Sequence, residues 1–141
     1  MIPFTLLVLL GMPSHAADIP SIVGNWLYYK KVYQGQEIPE GPSATLRLHF
    51  DFTGDGQSHL YWWHEGDSDH CSRTGKYHID GTNLVEDNLV IDPANTQDCS
   101  SDPDMQAKPS ATTPISFRGD DLVIQFHLNS DPLDFVWKKT Q

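Results

Sequence analysis

Cationic side chains are scarce in this sequence: 9 Lys and Arg stand against 19 Asp and Glu, for a formal net charge of −10. Nucleic-acid binding relies on clustered Lys and Arg to displace counterions, and anionic lipid demands the same, so neither is an expected partner. The acidity suits solubility instead. Long apolar runs are missing as well. Met1–Leu10 is uncharged and largely apolar, but a membrane-spanning helix needs about 20 such residues. The sequence also lacks a G-x-S-x-G nucleophile elbow, an H-E-x-x-H pair and a Cys-x-x-Cys motif. The expectation is a protein that is not an enzyme and carries no cofactor. No window long enough for a helix repeats its apolar residues every 3.6 positions. At most, a short helical turn is allowed near Ile19–Val23.

Cysteine is sparse too, with only Cys71 and Cys99. In an oxidising compartment two cysteines pair by default, and closing that loop is worth roughly 3–4 kcal/mol. The amino-terminal segment points to such a compartment. A short apolar stretch followed by Ser14-His15-Ala16, a small-x-small site, reads as a secretory signal over residues 1–16. No Lys or Arg precedes the apolar stretch, which departs from the usual signal. Cleavage after Ala16 would leave residues 17–141 as one domain, periplasmic or secreted. No cysteine follows the site, so a lipid anchor is not expected.

What is present is period two. In Leu46-Arg47-Leu48-His49-Phe50-Asp51-Phe52 and in Leu122-Val123-Ile124-Gln125-Phe126-His127-Leu128, one face is apolar at every second residue. Half-buried strands need this, because successive side chains point to opposite faces. Thr53-Gly54-Asp55-Gly56, Asp80-Gly81-Thr82-Asn83 and Arg118-Gly119-Asp120-Asp121 supply hairpin chemistry between such runs. The reading gives eight strands: 25–33, 44–52, 57–64, 72–79, 83–91 (kinked near Asp87), 113–118, 122–128 and 134–139. Eight strands in sequential hairpins predict an all-β, antiparallel up-and-down barrel, with a two-sheet β-sandwich as the alternative. The Pro-, Ser- and Asp-rich stretch 92–112 has no period and reads as a long surface loop.

The opening strand carries Gly24-Asn25-Trp26. This Gly-x-Trp pattern resembles the first-strand signature of the lipocalins and the wider calycin group. Phe52-Thr53-Gly54-Asp55-Gly56, the run Gly75–Leu84 and Phe135-Val136-Trp137-Lys138-Lys139 are similar, in order, to hairpins and the closing strand of small bacterial lipocalin-like domains. The resemblance covers most of Val23–Lys139. It implies a barrel whose closed end is formed by Gly24, Trp26 and a basic residue of the last strand, Lys138 or Lys139, with Lys138 taken first. It also implies a possible internal cavity, without naming its ligand.

Function is read from faces rather than motifs. A cavity lined by aromatic rings would bind a small apolar or amphipathic molecule, and the inward candidates are Tyr28, Leu48, Trp62, Tyr77, Ile124, Phe126 and Phe135. In Tyr61-Trp62-Trp63 neighbours alternate, so at least one ring must face outward. A protein-interaction or inhibitor module, working through the 92–112 and 65–70 loops, is the alternative. His49, His78 and His127 fall on the outer face. His64 and His70 flank the acidic turn Glu65–Asp69, but with no H-x-H or H-x-x-x-H spacing a metal site is not expected.

Overall fold

Alternation along each strand places every second side chain inside one closed surface. The structure, a computed structural model, describes residues 19–38, 44–128 and 131–140, apart from the side chains of Gln97, Asp98, His127 and Leu128. The expected signal segment 1–16 and the outward placement of the His127 side chain lie outside the described residues. The strands are β1 (Gly24–Tyr33), β2 (Gln36–Ile38), β3 (Leu46–Phe52), β4 (Gln57–His64), β5 (His70–Asp80), β6 (Asn83–Ile91), β7 (Lys108–Arg118), β8 (Asp121–Leu128) and β9 (Asp131–Lys139). From β3 to β9 each strand pairs antiparallel with the next, and β1 pairs with both β3 and β9. Eight strands therefore close into the expected barrel. The sandwich is ruled out by the β1–β9 pairing, which leaves no free edge in the ring. The short β2, which was not expected, lies along Lys31–Tyr33 of β1.

Residues 19–23 carry no helical turn, contrary to the allowance made for one. The 92–112 loop is also shorter than expected. It ends at Gln106 and Ala107, because Lys108–Pro114 pairs along β6 and extends β7 by five residues. Pro109 and Pro114 hid this extension. The Ile115 amide donates to Thr82 on the β6 side. By alternation, the Pro114 nitrogen faces β8, where a donor would otherwise be needed. Pairing between β7 and β8 accordingly covers only Ile115–Arg118.

The barrel is asymmetric along its axis. Short turns at 53–56, 81–82 and 119–120 gather at one end. There Trp26, 2% exposed, donates its indole N–H to the Ile22 carbonyl at 2.8 Å, and the Lys139 ammonium lies 5.6 Å from its ring centre. Gly24 has φ +142°, and a Cβ on it would stand 2.6 Å from Lys139 Cε. The glycine thus lets the lysine fold back over the tryptophan. Lys138, taken first as the closing base, points outward and pairs with Asp121 at 3.2 Å. Trp137 is buried, so alternation sends residue 138 out and returns residue 139 to the barrel end.

The other end flares. β1 pairs with β3 only over Gly24–Leu27. Tyr29 is then an extra residue between Tyr28, opposite Trp137, and Lys30, opposite Val136. This bulge shifts the phase of β1 by one. Val32 turns outward, where it forms a small buried cluster with Val123 and Val136, while Lys31 turns toward Phe135. Two seams, β1/β3 and β7/β8, are therefore unpaired toward this end, and the interior can widen there.

Candidate functional site

The inward residues of the flared half do not meet across the barrel. They leave a cavity of about 210 Å³, open at the flared end. Its walls come from Leu48 on β3, Trp62 on β4, Phe126 on β8, and Phe135 and Trp137 on β9. The β6–β7 connection makes its mouth with Asp102, Asp104 and Met105. Met105 is 2% exposed and dips into the core, so the connection is seated in the barrel rather than projecting from it.

Several contacts hold that connection in place. Cys99 lies at disulfide distance from Cys71 on β5, with Cα atoms 5.6 Å apart. The Asn95 side chain imitates a strand neighbour for Ser72, accepting from its amide at 2.8 Å and donating to its carbonyl at 2.9 Å. The Gln106 amide donates to the carbonyls of Cys99 and Asp102, at 3.1 and 2.8 Å. The Trp62 indole N–H donates to the Asp102 carboxylate at 3.1 Å, which ties the mouth to the cavity wall.

A second void of about 330 Å³ adjoins the first and shares Asp104 and Phe126 with it. It lies beside the β7/β8 seam and is more polar. On its floor Arg73 makes a two-pronged contact with Glu86, at 3.0 and 3.3 Å, and Ser58 donates to the same carboxylate at 2.7 Å. All three side chains are buried. Burial of a pair like this requires that remaining donors also find partners. Arg73 Nε donates to the Asp104 backbone carbonyl at 2.5 Å, and the guanidinium lies over Phe50. Arg73 thus joins the floor of the barrel to its mouth.

Asp104 is exposed as a residue, but the protein crowds its carboxyl. Poor hydration, reinforced by the neighbouring Asp102, raises its pKa above the ordinary carboxylate value, and Lys108 and Arg73 only partly offset this. Burial also pushes the Tyr28 hydroxyl up to about 12. That hydroxyl and the Trp137 indole N–H have no hydrogen-bond partner among the described residues.

Four of the expected ligand-binding residues, Leu48, Trp62, Phe126 and Phe135, meet around the first cavity. Ile124 lines the second, with Phe126. Tyr28 is internal but lines neither; its ring packs behind Phe135 and Trp137, at 5.4 and 5.8 Å. Tyr77 is misplaced: it sits toward the closed end, against Phe52, and donates to the Thr53 carbonyl at 2.7 Å. Alternation distinguishes inside from outside but carries no information on height along the barrel axis. Residues missed from sequence include Trp137, Met105, Asp102, Asp104, Arg73 and Glu86. Arg73 and Glu86 had a readable signal, since each is a charge at an inward strand position, in line with Cys71 and Leu84 respectively.

The ring set Tyr61-Trp62-Trp63 divides as alternation requires. Trp62 faces the cavity, while Tyr61 and Trp63 stand outside and stack with His49, at 5.1 and 5.2 Å between ring centres. Burial in this stack holds the His49 imidazole below the ordinary histidine value. His78 is exposed, and His64 lies at the cavity edge with Nδ1 3.1 Å from Thr45 Oγ1. Among the described residues, no three of His, Cys, Asp and Glu converge as metal ligands would. No helix among these residues is long and apolar enough to cross a membrane.

No family model matches the chain, and no curated protein does. Among solved structures, the chain is similar to the crystal structure of an uncharacterized protein from Bacteroides eggerthii, at 12% identity and a TM-score of 0.54. The match covers 85% of this chain and all of that one. At this identity the likeness concerns the fold alone.

Proposed function

We propose that this protein is an exported, lipocalin-like binding protein that holds a small apolar or amphipathic molecule in the flared half of its barrel, without catalysing a reaction. The observation that carries the reading is the hollow, ring-lined interior bounded by Leu48, Trp62, Phe126 and Phe135. Small-molecule sites are concave, mostly apolar and furnished with a few placed polar groups, and this interior has that composition. The Cys71–Cys99 pair favours an oxidising compartment, periplasmic or extracellular. The interaction-module alternative is less favoured, because Met105 and the Trp62–Asp102 bond turn the β6–β7 connection inward.

Titration with the neutral fluorophore N-phenyl-1-naphthylamine tests the reading. Saturable one-to-one binding with quenching of tryptophan emission is expected. Leu48→Trp, which fills the cavity, should abolish binding while the barrel still unfolds cooperatively. Absence of saturable binding by folded protein, or undiminished binding to Leu48→Trp, would refute it.

A further inference from the structure

The cavity mouth has a charge pattern as well as a shape. We infer that the molecule bound here is a cationic amphiphile, with an alkylammonium-type head between Asp102, Asp104 and the aromatic wall and an aliphatic tail directed into the barrel. This rests on the ligand-binding reading above and narrows it to one chemical class.

The composition of the first cavity is the leading argument. Its walls present the rings of Trp62, Phe126, Phe135 and Trp137, and its mouth presents two carboxylates. Among the described residues that line it there is no Lys or Arg. Aromatic faces attract a cation through the ring quadrupole, and the attraction strengthens as water is excluded. An anionic head would meet two carboxylates there, with the His64 imidazole as the one basic side chain among the described lining residues. A neutral one would leave them uncompensated.

The carboxylates are also held in place. Asp102 accepts from the Trp62 indole N–H through one oxygen and from the Asp104 amide through the other, at 3.1 and 3.0 Å. It is fixed against the ring that a cation would contact. Asp104 follows two residues later on the same short helical turn and adds a second negative charge nearby. The buried cation below, Arg73, is paired with Glu86 and, together with Lys108, offsets the charge at Asp104 only in part. Poor hydration and the neighbouring Asp102 leave the Asp104 carboxyl uneasy as an anion, which an incoming cation would relieve.

The molecule already contains a small version of this contact. The Lys31 ammonium sits 5.4 Å from the centre of the Phe135 ring, brought to that face by the bulge at Tyr29. The contact shows that the Phe135 ring takes an ammonium at cation–π distance. The field around the mouth has the same sign preference. Glu65 and Asp67 in the β4–β5 turn, next to the lining residue His64, are acidic; Arg47 is paired with Glu65 at 2.8 Å, and Lys108 offsets part of the charge at Asp104. Such a rim concentrates cations at low ionic strength.

Calorimetric titration of the full protein with three ten-carbon probes, each below its micelle concentration, tests this. The probes are decyltrimethylammonium, decanol and decanoate. The ammonium is expected to bind at least about fivefold tighter than decanol, and decanoate weakest. Raising the salt concentration should weaken the ammonium more than the alcohol. In Asp102→Asn/Asp104→Asn, where Asn keeps an acceptor for Trp62, the ammonium-to-decanol affinity ratio should collapse toward one. If decanol or decanoate binds as tightly as the ammonium, or the ratio survives the double substitution, the cationic assignment fails while ligand binding stands. If none of the three binds, the ligand-binding reading fails and this inference with it.

Discussion

Glu86→Gln isolates the electrostatic centre of the barrel. Glu86 and Arg73 side chains are 4% and 8% exposed, and their two contacts measure 3.0 and 3.3 Å. At that separation and an effective dielectric near 20, the attraction is about 5 kcal/mol, most of it offset by the desolvation of both ions. Removing one charge restores none of Arg73's hydration, because the guanidinium stays packed on the Phe50 ring and bound to the Asp104 carbonyl. The expected loss is therefore about 3–5 kcal/mol, the cost of stranding one member of a buried pair. In a domain of this size that is a fall in melting temperature on the order of 10–15 °C. The assay is urea unfolding at neutral pH, followed by circular dichroism and tryptophan fluorescence together. Ser58→Ala/Arg73→Leu/Glu86→Leu provides the control, because replacing the whole polar set by apolar side chains should recover most of the loss. A Glu86→Gln protein within about 0.5 kcal/mol of the parent would refute the reasoning, since that is the range of ordinary surface substitutions.

Cys71 and Cys99 are 28 residues apart, so reduction should lower stability by about 3–4 kcal/mol on the chain-entropy estimate; coincident urea transitions with and without reductant would contradict this. The outer stack, which His59 extends by lying on Tyr61 at 4.3 Å between ring centres, makes stability depend on pH. Burial holds the imidazoles of His49 and His59 below the ordinary value of 6.5, with Asp51 opposing the shift. The unfolded chain then binds protons more readily, so their contribution is present above pH 6.5 and is lost as the pH falls toward their folded values. Urea midpoints between pH 8 and 5 should drop, and less steeply in His49→Phe/His59→Phe. Gly75 lies at the irregular register between β5 and β6, where a Cβ would stand 2.5 Å from Leu89 Cδ2 and 3.2 Å from the Asp87 carbonyl. Gly75→Ala should cost about 1–3 kcal/mol as an overpacking change, measured by the same unfolding curves; a neutral effect would show that Leu89 moves aside freely.

Strand identity, hairpin positions and the inward or outward sense of most side chains could be read from the chain by itself, because they depend on period two and on turn residues that act locally. Leu46–Phe52 and Leu122–Leu128 display their faces without reference to the rest of the molecule. Two cysteines and no third left a single internal pairing to expect. Tertiary structure decided what depends on register between strands. The extra residue at Tyr29 reversed the phase of β1, so Val32 went outward and Lys31 came to Phe135. The count along β9 brought Lys139 rather than Lys138 over Trp26. Pairing with β6 drew Lys108–Pro114 into β7 despite its prolines. Above all, the hollow at the flared end follows from two seams that stop pairing partway, and from the depth to which Met105 enters. Neither is a property of any local stretch of sequence, since both result from where distant strands part.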